Sequence, residues 1–165
     1  MRGSSTRRSV LAALAVGAVS GRASAQPAGA PGFSAVEVDV RRLREVGLGP
    51  YSDVVGGALR AELRRAFADR LDRRGPRLVV RVDGVSLRSY VGSETSRFGF
   101  GSGTPSDYLE GEALVVGGRG EILRRHPQLS AVPASSGGAW YDPDSEGRRL
   151  AALSAHFAGW LRRAL

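Results

Sequence analysis

The sequence predicts an α+β fold: a two-layer sandwich in the order β-α-β-β-β-α, with a mostly antiparallel four-stranded sheet and two helices on one face. Three observations lead there. Apolar residues alternate with polar ones near 36–40, along 77–90 and again from 107 onward, which is the period of a half-buried strand. Two longer stretches, 51–74 and 145–165, place apolar residues at every third or fourth position, which is the period of a helix. Breaks rich in glycine and proline separate these segments, and the sequence shows no internal repeat.

The domain proper is read as residues 33–165, following a flexible lead-in over 26–32 that carries two prolines and two glycines. Val36, Val38 and Val40 face one way, and Glu37 and Asp39 the other, so the first strand buries one side. Residues 47–50 break the chain. The helix after them carries Val55, Leu59, Leu63, Phe67 and Leu71, and Gly75 with Pro76 is expected to stop it near Arg74. A spacing of four turns this stripe by about 40° per step, which suits a helix crossing a twisted sheet obliquely. In the next strand Leu78, Val80 and Val82 share a face while Val85 and Leu87 fall one step out of phase, so a bulge is expected at Asp83 and Gly84. Leu109, Ala113 and Val115 define the inward side of the third strand, and residues 117–120 form a tight turn. A fourth strand runs from Glu121 to about His126 and resumes after Pro127; its two prolines, Pro127 and Pro133, make it an edge strand. The closing helix buries Leu150, Leu153, Phe157, Trp160, Leu161 and Ala164, with acids near its start and Arg162 and Arg163 at its end, where they oppose the helix dipole.

The chain has 165 residues and a net charge of +8, and all 24 basic residues are arginines. Much of that excess is not in the domain. Residues 1–25 combine Arg2, Arg7 and Arg8, an apolar run from Val10 to Val19, and the small residues Ala23 and Ala25, the layout of a signal peptide cleaved after Ala25. The apolar run is far shorter than the roughly 20 residues a membrane-spanning helix requires. Residues 6–11, with Arg7 and Arg8 paired ahead of Ser9, Val10 and Leu11, resemble the twin-arginine export signal, although the general secretory route also accepts such a pair. Removing four arginines and no acid leaves 20 basic and 16 acidic residues, a mature chain at +4. The expected location is periplasmic or secreted, which places nucleic acid out of reach as a partner. With no cysteine, the chain has no disulfide, thiolate metal site, cysteine nucleophile or lipid-anchored cysteine.

Catalysis has few candidates. The two histidines, His126 and His156, are 30 residues apart, and no nucleophile-elbow pattern accompanies them; a small hydrolase using either one is the alternative to a non-catalytic role. Asp142, Asp144 and Glu146 lack the frame of a calcium loop and read as helix-start residues, so no metal or other cofactor is expected. The glycine-rich stretches 99–103 and 117–120 join strands and do not open a helix, so they lack the geometry that cradles phosphate. Two surfaces are candidates for interaction. One is the long connection 92–106 with Arg97, Phe98 and Phe100; the other is the first helix with Arg64, Arg65 and Arg73, suited to an anionic lipid or glycan.

The helix ending at residues 73–76, the strand from Arg77 to Asp83 and the closing amphipathic helix give the chain a resemblance to small exported proteobacterial envelope proteins. In layout it is similar to the auxiliary lipoproteins of envelope transport systems. The resemblance implies a small domain that acts as an accessory without catalysis, toward an unidentified envelope component. The chain departs from those lipoproteins in lacking the anchoring cysteine, and the resemblance assigns no residue roles.

Export is directly checkable. Mass spectrometry of the protein recovered from the periplasm should find a chain beginning at Gln26, and Arg7→Lys with Arg8→Lys should block its appearance there if the twin-arginine route carries it.

Overall fold

A computed structural model describes residues 32–88 and 105–165. The strands are β1 (Ala35–Asp39), β2 (Arg77–Ser86), β3 (Ser106–Val116) and β4 (Ile122–Pro133), and the helices are α1 (Arg41–Glu45), α2 (Tyr51–Ala66) and α3 (Ser145–Ala164). The sheet is open, in the order β1-β2-β3-β4. β1 lies parallel to β2 because the chain crosses over through α2, and the other two pairings are antiparallel. This is the predicted α+β layout.

Each element buries the face its sequence pattern marks. Val36 and Val38 of β1, Leu78, Val80 and Val82 of β2, and Leu109, Ala113 and Val115 of β3 line the covered side of the sheet. Val55, Leu59 and Leu63 of α2 and Leu150, Leu153, Phe157 and Leu161 of α3 lie over them, and the two helices pack on each other. α2 comes close enough to the end of β1 that a β-carbon on Gly56 would stand 2.9 Å from Val40, so glycine is what the approach requires. The β2 register shifts between Val82 and Gly84, the site of the phase slip in the sequence.

The secondary-structure elements differ from the sequence reading in three places. A short helix, α1, follows β1 directly, burying Leu43. α2 ends at Ala66 and not near Arg74: Phe67 leaves helical geometry, and the chain after it is pinned alongside Phe33. Phe33 N–H donates to Arg70 O (2.7 Å), Asp72 N–H donates to Phe33 O (2.9 Å), and the Phe33 ring meets Phe67 edge-on at 5.5 Å. Finally, β4 is continuous through Pro127.

One polar cluster is sealed in this interior. The Asp107 carboxylate at the start of β3 is fully buried, and Arg149 of α3 grips both its oxygens, with Nε to Oδ2 at 2.8 Å. The same guanidinium donates to Arg88 O (2.7 Å), and Asp107 Oδ1 accepts Arg88 N–H (2.9 Å). Arg149 therefore ties together the two chain ends that flank residues 89–104. Gly137 makes room for it, since a β-carbon there would fall 2.5 Å from Arg149 Cγ.

Removing one partner of such a pair leaves a buried charge. Arg149→Met should cost about 3–5 kcal/mol in urea unfolding. Adding Asp107→Asn, which drops the charge but still accepts from Arg88, should recover part of that loss. A double variant whose loss equals the sum of the two single losses would show that the pair is not coupled.

Candidate functional site

β4 is the last strand of the sheet, and α3 runs beside it, so the region between them decides how that edge is covered. The ladder to β3 fixes which way the β4 backbone points. Just past β4, Ala134 N–H donates to Pro105 O (2.7 Å), and the register is continuous from Pro133 back to Arg124. Backbone groups alternate along an antiparallel strand, so the even-numbered residues of this stretch bond to β3 and the odd-numbered ones face away from it. Pro127 and Pro133 are both odd, where the missing N–H is not needed by the ladder. Leu129 and Ala131 are odd as well, and their N–H and C=O groups lie along the free edge.

An open groove of about 690 Å³ follows this edge. Leu129, Ala131 and Ala164 supply its apolar lining, with His126 and Gln128 on the strand side and His156, Trp160 and Arg163 on the helix side. Leu129 is 64% exposed and Trp160 is 53% exposed, a high value for side chains of this size. The Trp160 indole is held in place: its Nε1–H donates to His156 Nε2 (3.0 Å), and the Arg163 guanidinium lies 4.2 Å from the centre of its ring. On the strand side Gln128 Nε2 donates to Phe157 O (2.8 Å), joining β4 to α3 beneath the groove. Among the described residues no carboxylate lines the groove.

The other side of the sheet differs. There Arg81 pairs with Asp83 (3.1 Å) and Glu112 (3.0 Å), Arg125 also reaches Glu112 (3.2 Å), and Glu110, opposite Leu129 in the ladder, adds a further carboxylate to a smaller hollow.

Trp160 was expected in the core, three residues beyond Phe157. It lies on the flank of the buried stripe, and at the C-terminal half of α3 that flank lies along the edge of β4, where no further strand among the described residues lies beneath it. His126 and His156, which nothing in the sequence connects, line the same groove. Among the described residues neither has a hydroxyl or carboxylate hydrogen-bond partner, and the Nε2 of His156 is taken by Trp160.

Arg64 and Arg65 are exposed in the last turn of α2, where Arg65 binds both oxygens of Glu62 at 2.7 Å. Arg73 is not on that helix at all; it sits in the turn before β2. Arg162, half-buried near the end of α3, donates to Ala66 O and to Asp69 Oδ2 (2.8 Å) and, through the bond to Asp69, holds that carboxyl down at about 2. Asp142 accepts from Asp144 N–H (3.0 Å) and pairs with Arg148 (2.7 Å), shaping the turn into α3. Among the described residues no three potential metal ligands cluster, and no helix is long and apolar enough to cross a membrane. Arg97, Phe98, Phe100 and the export segment with Ala23 and Ala25 lie outside the described residues.

Fold and groove together define a small α+β domain with an aromatic-walled groove along one sheet edge. The chain matches no family model and no curated protein. It has a partial likeness to the solved structure of a candidate lipoprotein from Caulobacter crescentus CB15, at 14% identity and a TM-score of 0.39, over 80% of this chain and 82% of that one.

The two large aromatic residues of α3 should separate cleanly in unfolding experiments. Phe157→Ala should lose about 3–5 kcal/mol, the cost of a core cavity, whereas Trp160→Ala should lose roughly 1 kcal/mol or less. Equal losses would place Trp160 in the core.

Proposed function

We propose that the mature chain is an exported, non-catalytic binding module of the cell envelope, an accessory to another envelope component. The observation that carries this reading is the β4–α3 groove, where Leu129 and Trp160 are held exposed on ordered elements instead of being folded into the core. Exposed apolar surface lining a cleft is characteristic of a binding site. The N-terminal segment, with its basic start, short apolar run and Ala23 and Ala25, supports export. Hydrolysis by His126 or His156 is less well supported, because among the described residues neither has the hydroxyl and carboxylate partners that a nucleophile and its base require. Lipid or glycan binding by Arg64, Arg65 and Arg73 is also less well supported, since Glu62 occupies Arg65 and Arg73 stands apart from the helix.

The test is capture from an envelope extract by immobilised residues 26–165, beside a Leu129→Ser, Trp160→Ala variant. The intact chain should retain a discrete component that the variant loses. Retention by both would move the binding surface elsewhere on the domain. If neither chain retains anything, the binding reading fails.

A further inference from the structure

We infer that the groove takes an extended, acidic-apolar peptide segment of a partner protein, which adds to β4 as a fifth strand over residues 128–132. This inference rests on the binding-module reading above and names the occupant and its mode of attachment.

The geometry comes from the edge itself. Between the donorless positions Pro127 and Pro133, Leu129 and Ala131 each present one N–H and one C=O away from β3. A peptide strand has donors and acceptors at the same repeat, so it can satisfy both residues at once. Its side chains would alternate, one set turned toward α3 and Trp160 and the other toward the exposed Leu129. The prolines limit the pairing to a short stretch and keep the edge from templating indefinite sheet growth.

The charge argument selects the chemistry of the partner. Arg163 lies over the Trp160 ring and makes no hydrogen bond among the described residues, so its planar fork is available to a carboxylate. Among the described residues no acid lines the groove to compete for it. A second copy of this chain is a poor occupant, because it would bring another Arg163, with Arg124 and Arg125, against the same charges. An anionic amphiphile could meet Arg163 and the apolar lining, but it would leave the Leu129 and Ala131 backbone groups unpaired.

The experiment uses residues 26–165 carrying Trp140→Phe, so that Trp160 alone reports by fluorescence. The probes are a capped nine-residue peptide alternating valine and glutamate, its valine–lysine counterpart, the valine–glutamate peptide N-methylated at alternate amides, and dodecanoate. The valine–glutamate peptide should shift Trp160 emission, and the valine–lysine and N-methylated forms should bind about tenfold more weakly or worse, the loss of roughly one well-made interaction. Leu129→Pro, in phase with Pro127 and Pro133, should keep the fold by circular dichroism and bind more weakly than Leu129→Ala, which loses the side chain but keeps the N–H. Equal binding by the N-methylated peptide, or by the two Leu129 variants, would overturn strand addition. Equal binding by the valine–lysine peptide would overturn the acidic partner. Dodecanoate binding without peptide binding would overturn the peptide in favour of a lipid-like anion. If no probe binds, the inference falls; Trp160-dependent capture from the envelope extract would then leave the binding module standing with a different occupant.

Discussion

The pair formed by Arg149 and Asp107 is the constraint on which the arrangement of the domain depends. Sheet and helix layers usually meet through apolar contact, which is tolerant of small slips. A buried carboxylate held by both oxygens is not tolerant: a shift of α3 along the sheet would strand a charge in the interior. The pair therefore fixes where α3 lies over β3, and by binding Arg88 it also fixes where β2 ends relative to the start of β3. The register of α3 against β4 follows, reinforced by Gln128 bonding to Phe157 O and by Arg124 bonding to Ala164 O at 2.9 Å.

That placement produces the groove. Arg149 and Trp160 are eleven residues apart, three turns of helix and a remainder of about 20°, so they project from nearly the same side of α3. At the N-terminal half this side meets β3 and is sealed by Asp107. At the C-terminal half it lies along β4, the last strand among the described residues, with no further described strand beneath it. One helical flank thus has a closed end held by an ion pair and an open end that carries Trp160, His156 and Arg163.

Much of the fold was legible because periodicity reports burial directly. The phase slip between Val82 and Val85 located the β2 bulge, and the inward set Leu109, Ala113 and Val115 was read correctly. That same alternation passes through Asp107, so a carboxylate at an inward position was a visible signal that it needs a cationic partner. Which of the many arginines supplies it was not visible, because the pairing spans 42 residues. α1 was missed since five residues with one apolar side chain make no period. The end of α2 was misplaced because Phe67 and Leu71 continue the helical stripe, while the chain there turns to pair with Phe33, a contact that only the folded chain creates. Trp160 fits the stripe equally well by spacing. Its exposure depends on where the sheet stops, and a single helix carries no record of that.

Pro127 and Pro133 show how one sequence feature can serve both stability and recognition. Taken alone, prolines in a strand mark an edge and suggest interruption, which is why β4 was expected to pause at Pro127. Six residues apart, the two share one phase of the ladder, so neither removes a bond to β3, and the strand runs unbroken. What they remove lies on the outside. An edge with donors along its whole length would invite pairing with any exposed strand, whereas between its two prolines this one offers a complete set of donors and acceptors at Leu129 and Ala131, directly beside Trp160. The same two prolines that protect the sheet from indiscriminate growth therefore bracket the stretch of edge where α3 supplies an aromatic wall and a guanidinium with no hydrogen bond among the described residues.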